Sequence, residues 1–508
     1  MPEPFDDIND FDLVDLRSKE RARAALERFG DDVWMEALDW LFDHATKRPT
    51  SAAAYPESRR AFFAGDDGPG PAPEKGMPAA AVLAEFRARL APHTFNAQYP
   101  GSYSYFTPPP LPMAIAGELL AAWMNQGIDL WLPGMAGPFV EEEVVRWLCD
   151  LAGYDAGSWG VLTSGGVMAN VMGLAVGRDV HLKKLLGLSG PPRAGNLSRA
   201  RVYASDQAHF SIARGLGMLG FPAETLRVLP SDEAFRLRSE PVAAAVEEDR
   251  EAGLVPFCLA PVVGSTNTGA VDDLNDLATL AEREGLWLHV DAAYGGAARL
   301  SPETAGRFDG LGRADSMTID PHKWLYQPYD IGALLVRRRA DILHTFESEP
   351  EYYRVGDPDQ DPLHWYRYSI EGTRRFRALK LWLSWKHLGT RGFARLIAHD
   401  IALAGHLARR SREAGFEVVD PELSVVCLRV VPPGLGPEAV DEHQRALQRA
   451  LELSGAGWVS TTSLRGRTWL RAGVVNYLST EADADRIVDA LQSASERILE
   501  ELHGRTPS

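Results

Sequence analysis

Residues 286–296 read LWLHVDAAYGG, and residues 316–324 read SMTIDPHKW. Each opens as a short run of large apolar and β-branched side chains, the pattern of a strand buried on both faces. Each run then stops at charge: Asp291 in the first, and Asp320, His322 and Lys323 in the second. A carboxylate ending a buried strand is costly unless it meets a cation or a strong donor. A lysine just past such a strand can have a lowered pKa and serve as a Schiff-base nucleophile. Asp291 and Lys323 are 32 residues apart, about one strand–helix–strand step. Ligands of open α/β sheets bind at strand C-termini, so these two stretches carry both the fold and the site.

Further runs of the same kind lie around them: RVYAS (201–205), LRVLP (226–230), FCLAPVV (257–263) and GALLVR (332–337). Helical patterns at 114–126, 139–152, 167–186 and 273–284 are interspersed with them. This alternation predicts an α/β domain with a largely parallel sheet. TSGGVMAN (163–170) places a glycine pair before a helix, which leaves free backbone N–H groups at the helix start. Such a start binds phosphate without a cationic side chain. SDQAHFSIARG (205–215) sets His209 just after RVYAS, where an imidazole stacks on a flat ring or relays protons. Taken singly, each signal has an ordinary reading: a tight turn, a salt-bridged Asp, a solvated lysine, a structural histidine. Gly215, Gly217 and Gly220 also match G-x-G-x-x-G. The match follows RVYAS too distantly for a dinucleotide turn and lacks the acid further on, so it reads as helix packing.

The flanks differ from this core. Residues 11–47 and 79–90 carry helical periodicity, 65–78 is a Gly/Pro-rich connection, and 96–112 is extended and rich in Tyr and Pro. The loop 187–199 reads as an exposed excursion. A helix over 374–389 should end at Gly389, followed by another over about 391–414. FEVVD, SVVCLRVV, a helix at 437–453, WVSTTSL, TWLRAGVVN and a helix at 481–502 then form an α+β unit. Three units are expected: a helical arm over 1–95, a large α/β domain over 96–395, and a small α+β domain over 396–508.

Composition narrows the function. The 508 residues carry 53 Lys+Arg against 70 Asp+Glu, a net charge of −17, which argues against nucleic acid or an anionic membrane as the main partner. Three cysteines without a CxxC pair, Cys149, Cys258 and Cys427, fit neither a disulfide framework nor a structural zinc site. They suit a reducing cytoplasm. No apolar run reaches membrane-spanning length, and the acidic start MPEPFDDINDFD does not read as a secretory signal.

Jointly the signals are specific. A phosphate cradle, a stacking His, an acid for a pyridinium nitrogen and a Schiff-base Lys are what pyridoxal 5′-phosphate (PLP) needs. On the strings DQAHFS, HVDAAYGG, DPHKWL and RRFRALKLW, in that order, the chain closely resembles the group II PLP-dependent amino-acid decarboxylases. That family includes the aromatic-L-amino-acid, histidine, glutamate and tyrosine decarboxylases. The resemblance implies fold type I: a mostly parallel seven-stranded sheet flanked by helices, with a small C-terminal domain and a helical N-terminal segment.

It also implies roles. Lys323 would carry the cofactor, Asp291 would pair with the ring nitrogen, and His209 would stack on the ring. Ser164, Gly165, Gly166 and Val167 would meet the phosphate, with Asp320 and His322 nearby and Thr266 close to the cofactor. Tyr352, in the Gly/Pro-punctuated loop 345–362, matches a mobile-loop tyrosine thought to protonate the substrate Cα. Tyr105, Phe106, Thr373 and Arg374 match positions lining or supporting the substrate site. Val167 stands where relatives often carry Ser or Thr. The missing hydroxyl removes a phosphate hydrogen bond worth about 1–3 kcal/mol. Thr373 stands where relatives carry Gly or Ser. The implied activity is decarboxylation of an L-amino acid, with an aromatic one expected, to an amine and CO2 by a homodimer whose active site lies at the subunit interface. The region Trp123–Trp147 would reach the partner's site. An aldehyde synthase or aminotransferase on the same scaffold is the alternative. A DNA-binding regulator is disfavoured, since residues 1–95 hold no basic patch.

Overall fold

WLHVD and SMTI do form adjacent strands, and the sheet built on them fixes where the polar residues converge. The computed structural model describes residues 19–45, 47–51, 53–63, 69–348 and 362–504. Its larger sheet contains β1 (Trp159–Thr163), β2 (Ala200–Ser205), β3 (Leu226–Leu229), β4 (Val255–Leu259), β5 (Trp287–Asp291), β6 (Ser316–Ile319) and β7 (Gly332–Val336). The order is β1-β7-β6-β5-β4-β2-β3. Only β7 opposes the rest: it pairs antiparallel with both β1 and β6, while the remaining pairs are parallel. The other six strands therefore point one way, and their C-terminal ends share one edge.

Every residue of β5, β6 and β7 is buried, which explains why these strands read as unbroken apolar runs rather than alternating ones. Each fully buried large aliphatic side chain contributes about 1.5–3 kcal/mol. The helix Gly166–Val176 packs on β6 and β7 and against the helix Ser211–Met218. Gly215 makes that crossing close, since a Cβ there would meet Leu174 Cδ1 at 3.1 Å. This is the packing role expected for the G-x-G-x-x-G string.

The helix Ala378–Glu413 is interrupted at Gly389 (φ 64°, ψ 170°), as the sequence led us to expect. It packs against the helices Pro112–Met124 and Gly137–Ala152 and continues to a second sheet. That sheet is antiparallel, in the order β10-β11-β9-β8, from β8 (Glu417–Val419), β9 (Val425–Arg429), β10 (Ser460–Leu464) and β11 (Arg467–Gly473). It has a core of its own in which Leu403, Leu407, Val426, Leu447, Leu470 and Ile487 are buried together. The helices Pro437–Ser454 and Glu481–Gly504 flank it.

Three details depart from the sequence reading. WGVLT of β1 and the helix Ser239–Glu251 were not among the runs it picked out. The excursion 187–199 contains a helical turn, Ala194–Leu197, whose Leu197 is buried. The helical pattern of 11–47 is realised over Lys19–Trp40 and a wider turn at Leu41–Ala45; residues 11–18 lie outside the described residues.

Candidate active site

β1 delivers the chain to Ser164 and Gly165, and the helix Gly166–Val176 begins at once. Its first turn has no side-chain cap and no acidic residue. The first N–H groups of a helix have no intrahelical acceptor, so this start is open to an anion. Glycine is required by proximity. A Cβ on Gly166 would lie 2.7 Å from Asp320 Oδ2, and one on Gly332 would lie 2.5 Å from Gly165 Cα.

Next along the same edge is Asp291, the buried last residue of β5. Its Oδ2 accepts from Asn170 Nδ2 at 2.9 Å and its Oδ1 from Ala293 N–H at 3.2 Å. Beyond β6, Lys323 Nζ is 3.1 Å from Asp320 Oδ2, and the Lys323 N–H donates to Asp320 O at 2.9 Å. His322 accepts the Ile331 N–H on Nδ1 at 3.3 Å, so its neutral ring carries the proton on Nε2. Burial holds the His322 pKa below its ordinary value, with Asp320 opposing.

His209 follows the end of β2. Its Nδ1 lies 2.8 Å from Ser211 Oγ. Burial pushes its pKa down, and Asp291 only partly offsets this, so the imidazole is neutral at neutral pH. Thr266 sits on the loop after β4, and its carbonyl accepts from Arg471 Nε at 2.5 Å.

One cavity of about 400 Å³ gathers these groups. Ser164, Gly165, Gly166, Val167, His209, Thr266, Asp291, Asp320, His322 and Lys323 all line it. Residues from four strand ends and a helix start, distant in sequence, thus face one space. Sequence reasoning missed Asn170, Phe210 and Tyr294, which line it as well. Asn170 did carry a signal, as the one amide side chain in the apolar helix GVMANVMGLAV.

The expected substrate residues are placed differently. Tyr105 is exposed and lines a neighbouring cavity of about 440 Å³ that shares Thr266 with the first. Phe106 is buried behind the site, stacked on Tyr294 at a centroid distance of 3.9 Å, so it backs a lining residue instead of lining the cavity. Arg374 requires correction as a substrate contact. It is fully buried, paired with Glu141 and Glu371 and donating to Leu162 O, and no face of it reaches the cavity. Its ion pairs anchor the backbone of β1 instead. Thr373 is exposed at the surface and lines neither cavity within one chain. Tyr352 lies outside the described residues.

The donor set fits PLP. The uncapped helix start suits a phosphate, Asp291 suits a protonated ring nitrogen, and Lys323 presents a primary amine in the same cavity. Comparison with known proteins agrees. Residues 66–431 match the family described as the pyridoxal-dependent decarboxylase conserved domain. The chain is 34% identical over 411 residues to an aromatic-L-amino-acid decarboxylase of Bacillus atrophaeus, covering 80% of this chain and 82% of that one. It is 30% identical over 424 residues to a phenylacetaldehyde synthase of Petunia hybrida, with the same coverage of 80% and 82%. Among solved structures, Oryza sativa TDC with PLP and tryptamine superposes with a TM-score of 0.84 at 27% identity, covering 92% of this chain and 98% of that one. The family match takes in β1 to β9 with every lining residue of the cavity, and on that ground the chain belongs to the pyridoxal-dependent decarboxylases, carboxy-lyases that work with PLP.

Proposed function

We propose that this decarboxylase acts on an aromatic L-amino acid and releases the matching amine and CO2, consuming one proton per turnover. The observation that carries the reading is the placement of Lys323, Asp291 and His209 around one cavity whose wall also holds Phe210 and Tyr294. The 34% identical Bacillus relative supports an aromatic substrate.

When bound, PLP supplies a carbonyl carbon for the substrate amine and a conjugated ring that accepts the electron pair left by departing CO2. The chain's residues do the rest. The Lys323 amine, held by Asp320, is the covalent attachment point. Asp291 keeps a proton on a basic nitrogen brought against its carboxylate. The neutral His209 ring offers a flat face and a hydrogen-bond donor. The N–H groups of Gly166 and Val167 hold an anion by dipole alone, so an acidic protein binds an anionic cofactor without contradiction. Tyr352 delivers the proton to the substrate Cα.

We further infer a homodimer. The helix Pro112–Met124 exposes Ile115, Leu119, Leu120, Trp123 and Met124 on one surface, with Met135 and Phe139 exposed just beyond it. An apolar surface of that extent is characteristic of an interface. Thr373 belongs to this surface, because Arg375 bridges to Gly127 and Ile128 N–H donates to Arg374 O at 3.0 Å. Its substrate contact is proposed across the dimer. The division into 1–95, 96–395 and 396–508 is also proposed, supported by the separate core under the small sheet. So is a cytoplasmic location, supported by three free cysteines, all buried. No helix among the described residues is long and apolar enough to cross a membrane.

The test is a panel of L-amino acids with purified protein and PLP, scored for amine and CO2. Amine and CO2 in equal amounts from an aromatic substrate is the expected result. Aldehyde, ammonia and peroxide in place of amine would establish the aldehyde-synthase alternative. Preference for a non-aromatic substrate would overturn the substrate reading.

A further inference from the structure

Asn170 is 1% exposed, and its amide reaches four polar side chains. Nδ2 lies 2.9 Å from Asp291 Oδ2 and 2.8 Å from Ser211 Oγ. Oδ1 lies 2.6 Å from Thr318 Oγ1 and 3.0 Å from His289 Nε2. Both ends of the amide are therefore fully used.

The directions of the bonds toward Asp291, His289 and Thr318 follow from one fact. Asp291 as a carboxylate only accepts, so the amide nitrogen must face it. Oδ1 then faces His289 and Thr318, and both must donate. His289 is fully buried and carries its proton on Nε2, which leaves Nδ1 to accept from Ser316 Oγ at 2.8 Å. Ser316 Oγ in turn accepts from Trp287 Nε1 at 2.9 Å. Burial drives the His289 pKa below its ordinary value, which keeps the ring neutral in this role.

On the opposite side, the second Asn170 N–H occupies a lone pair of Ser211 Oγ. The Ser211 N–H also faces His209 Nδ1, at 3.4 Å, so that nitrogen is an acceptor and the Ser211 hydroxyl, 2.8 Å away, donates to it. A neutral His209 accepting there carries its own proton on Nε2. The protonation pattern of the whole chain, from Trp287 to His209, is single-valued.

We propose that Asn170 is a positioning residue that sets two things through one amide: the orientation of the Asp291 carboxylate and the position of the Ser211 hydroxyl that donates to His209. The proposal rests on the cofactor-facing roles of Asp291 and His209. Asn170 lines the cavity too, yet its hydrogen-bonding capacity is spent on these four partners. It thus acts through Asp291 and His209. A helix otherwise built of Gly, Val, Met, Ala and Leu has this one amide because a buried carboxylate and a buried imidazole both need a fixed partner.

The experiment compares the full-length enzyme with Asn170→Ala, Ser211→Ala and the double variant. It reads PLP dissociation constants by absorbance titration, melting of the PLP-free proteins, and kcat and KM. Ser211→Ala removes the hydroxyl that holds His209 but keeps the Asn170 bond to Asp291. Its PLP affinity should stay within about 2-fold of the parent while kcat falls about 10-fold. Asn170→Ala should weaken PLP about 10-fold and lower kcat at least as far as Ser211→Ala does. The double variant should have the kcat of Asn170→Ala, since the link is already cut. Two results overturn the proposal: a melting loss in Asn170→Ala with PLP affinity and kcat unchanged, or effects on kcat that multiply in the double variant. Should Asn170→Ala fail to fold, Asn170→Ser and the Ser211→Ala arm decide the same question. PLP titration needs no turnover, so failure of the substrate reading would leave the Asp291 half fully tested.

Discussion

Lys323 Nζ stands 3.1 Å from Asp320 Oδ2, with the carboxylate buried and the amine 24% exposed. The pair has a structural duty besides chemistry, because Asp320 without a cation is a buried, uncompensated charge. Lys323→Met keeps the length and removes the charge. It should lower the unfolding free energy of the PLP-free protein by about 1–3 kcal/mol, the cost of a buried acceptor left unpaired. Lys323→Arg should recover most of that loss. Both variants should be inactive and lack the absorbance band of covalently held PLP. Equal denaturant midpoints for the two variants would sink the ion-pair argument, and residual turnover would sink the attachment point.

The helix start makes a separate prediction. Gly166→Ala puts a methyl group 2.7 Å from Asp320 Oδ2 and 3.3 Å from Ala293 Cβ, so either the turn or Asp320 must shift. PLP affinity should fall by about 10-fold or more, one lost charge-assisted hydrogen bond being worth about 1.5–3 kcal/mol. Val167→Ser is the opposite case. Val167 lines the cavity at the same helix start, and a hydroxyl there adds a donor to the phosphate. It should tighten PLP by up to about 10-fold, within the same range. Fluorescence titration of the PLP-free proteins reads both, and an unchanged affinity in Gly166→Ala would show that the phosphate is held elsewhere.

Much of this site is legible in the sequence alone. Asp291 and Lys323 announce themselves because fully buried strands read as continuous apolar runs, and a charge at the end of such a run is conspicuous. β1 was less visible: WGVLT is five residues long and carries Gly160, whose missing Cβ makes room for Leu334 O and Leu335. The helix SEPVAAAVEEDRE offers few large apolar residues, so its periodicity is faint. Arg471 left no signal at all. It lies on β11 of the small sheet, and only the tertiary fold brings it to Thr266 and over the Phe106 ring, 4.6 Å from the centroid. Arg374 misled for the reverse reason: an arginine beside a family string reads as a ligand contact, whereas Glu141 and Glu371 consume it.

Asp400 predicts how stability depends on pH. It is fully buried and accepts from Trp324 Nε1 at 2.9 Å and Tyr326 OH at 2.7 Å. Burial nevertheless outweighs these donors and raises its pKa to about 7, from an ordinary 3.8. The folded state therefore holds the proton more tightly than the unfolded state. The contribution is fully present below the unfolded value and is lost as pH rises through the folded one. Relative to Asp400→Asn, the parent should lose up to about 1.4 kcal/mol per pH unit between about 4 and 7, and stay level above. Denaturant titrations of both PLP-free proteins from about pH 5 to about pH 8 would measure the difference. Parallel curves would mean that Asp400 does not titrate in this window.

The exposed surface of the helix Pro112–Met124 makes the last prediction, because its two faces are so unlike. Toward the interior, Gly117 lets the helix crossing close until a Cβ would stand 2.6 Å from Lys380 Cα. Toward solvent, Leu119 and Trp123 are more than half exposed. If that surface is the dimer interface, Leu119→Arg with Trp123→Arg buries two unpaired cations there and should give a monomer by light scattering, while the interior face keeps its packing. The monomer should retain its fold by circular dichroism but lose decarboxylation, since Thr373 shares this surface and lines no cavity of its own chain. Thr373→Gly in the intact dimer should then shift the preference among aromatic substrates, leaving the PLP dissociation constant unchanged. A fully active monomer would separate the two ideas, removing Thr373 from the substrate site and leaving the apolar surface without a catalytic purpose.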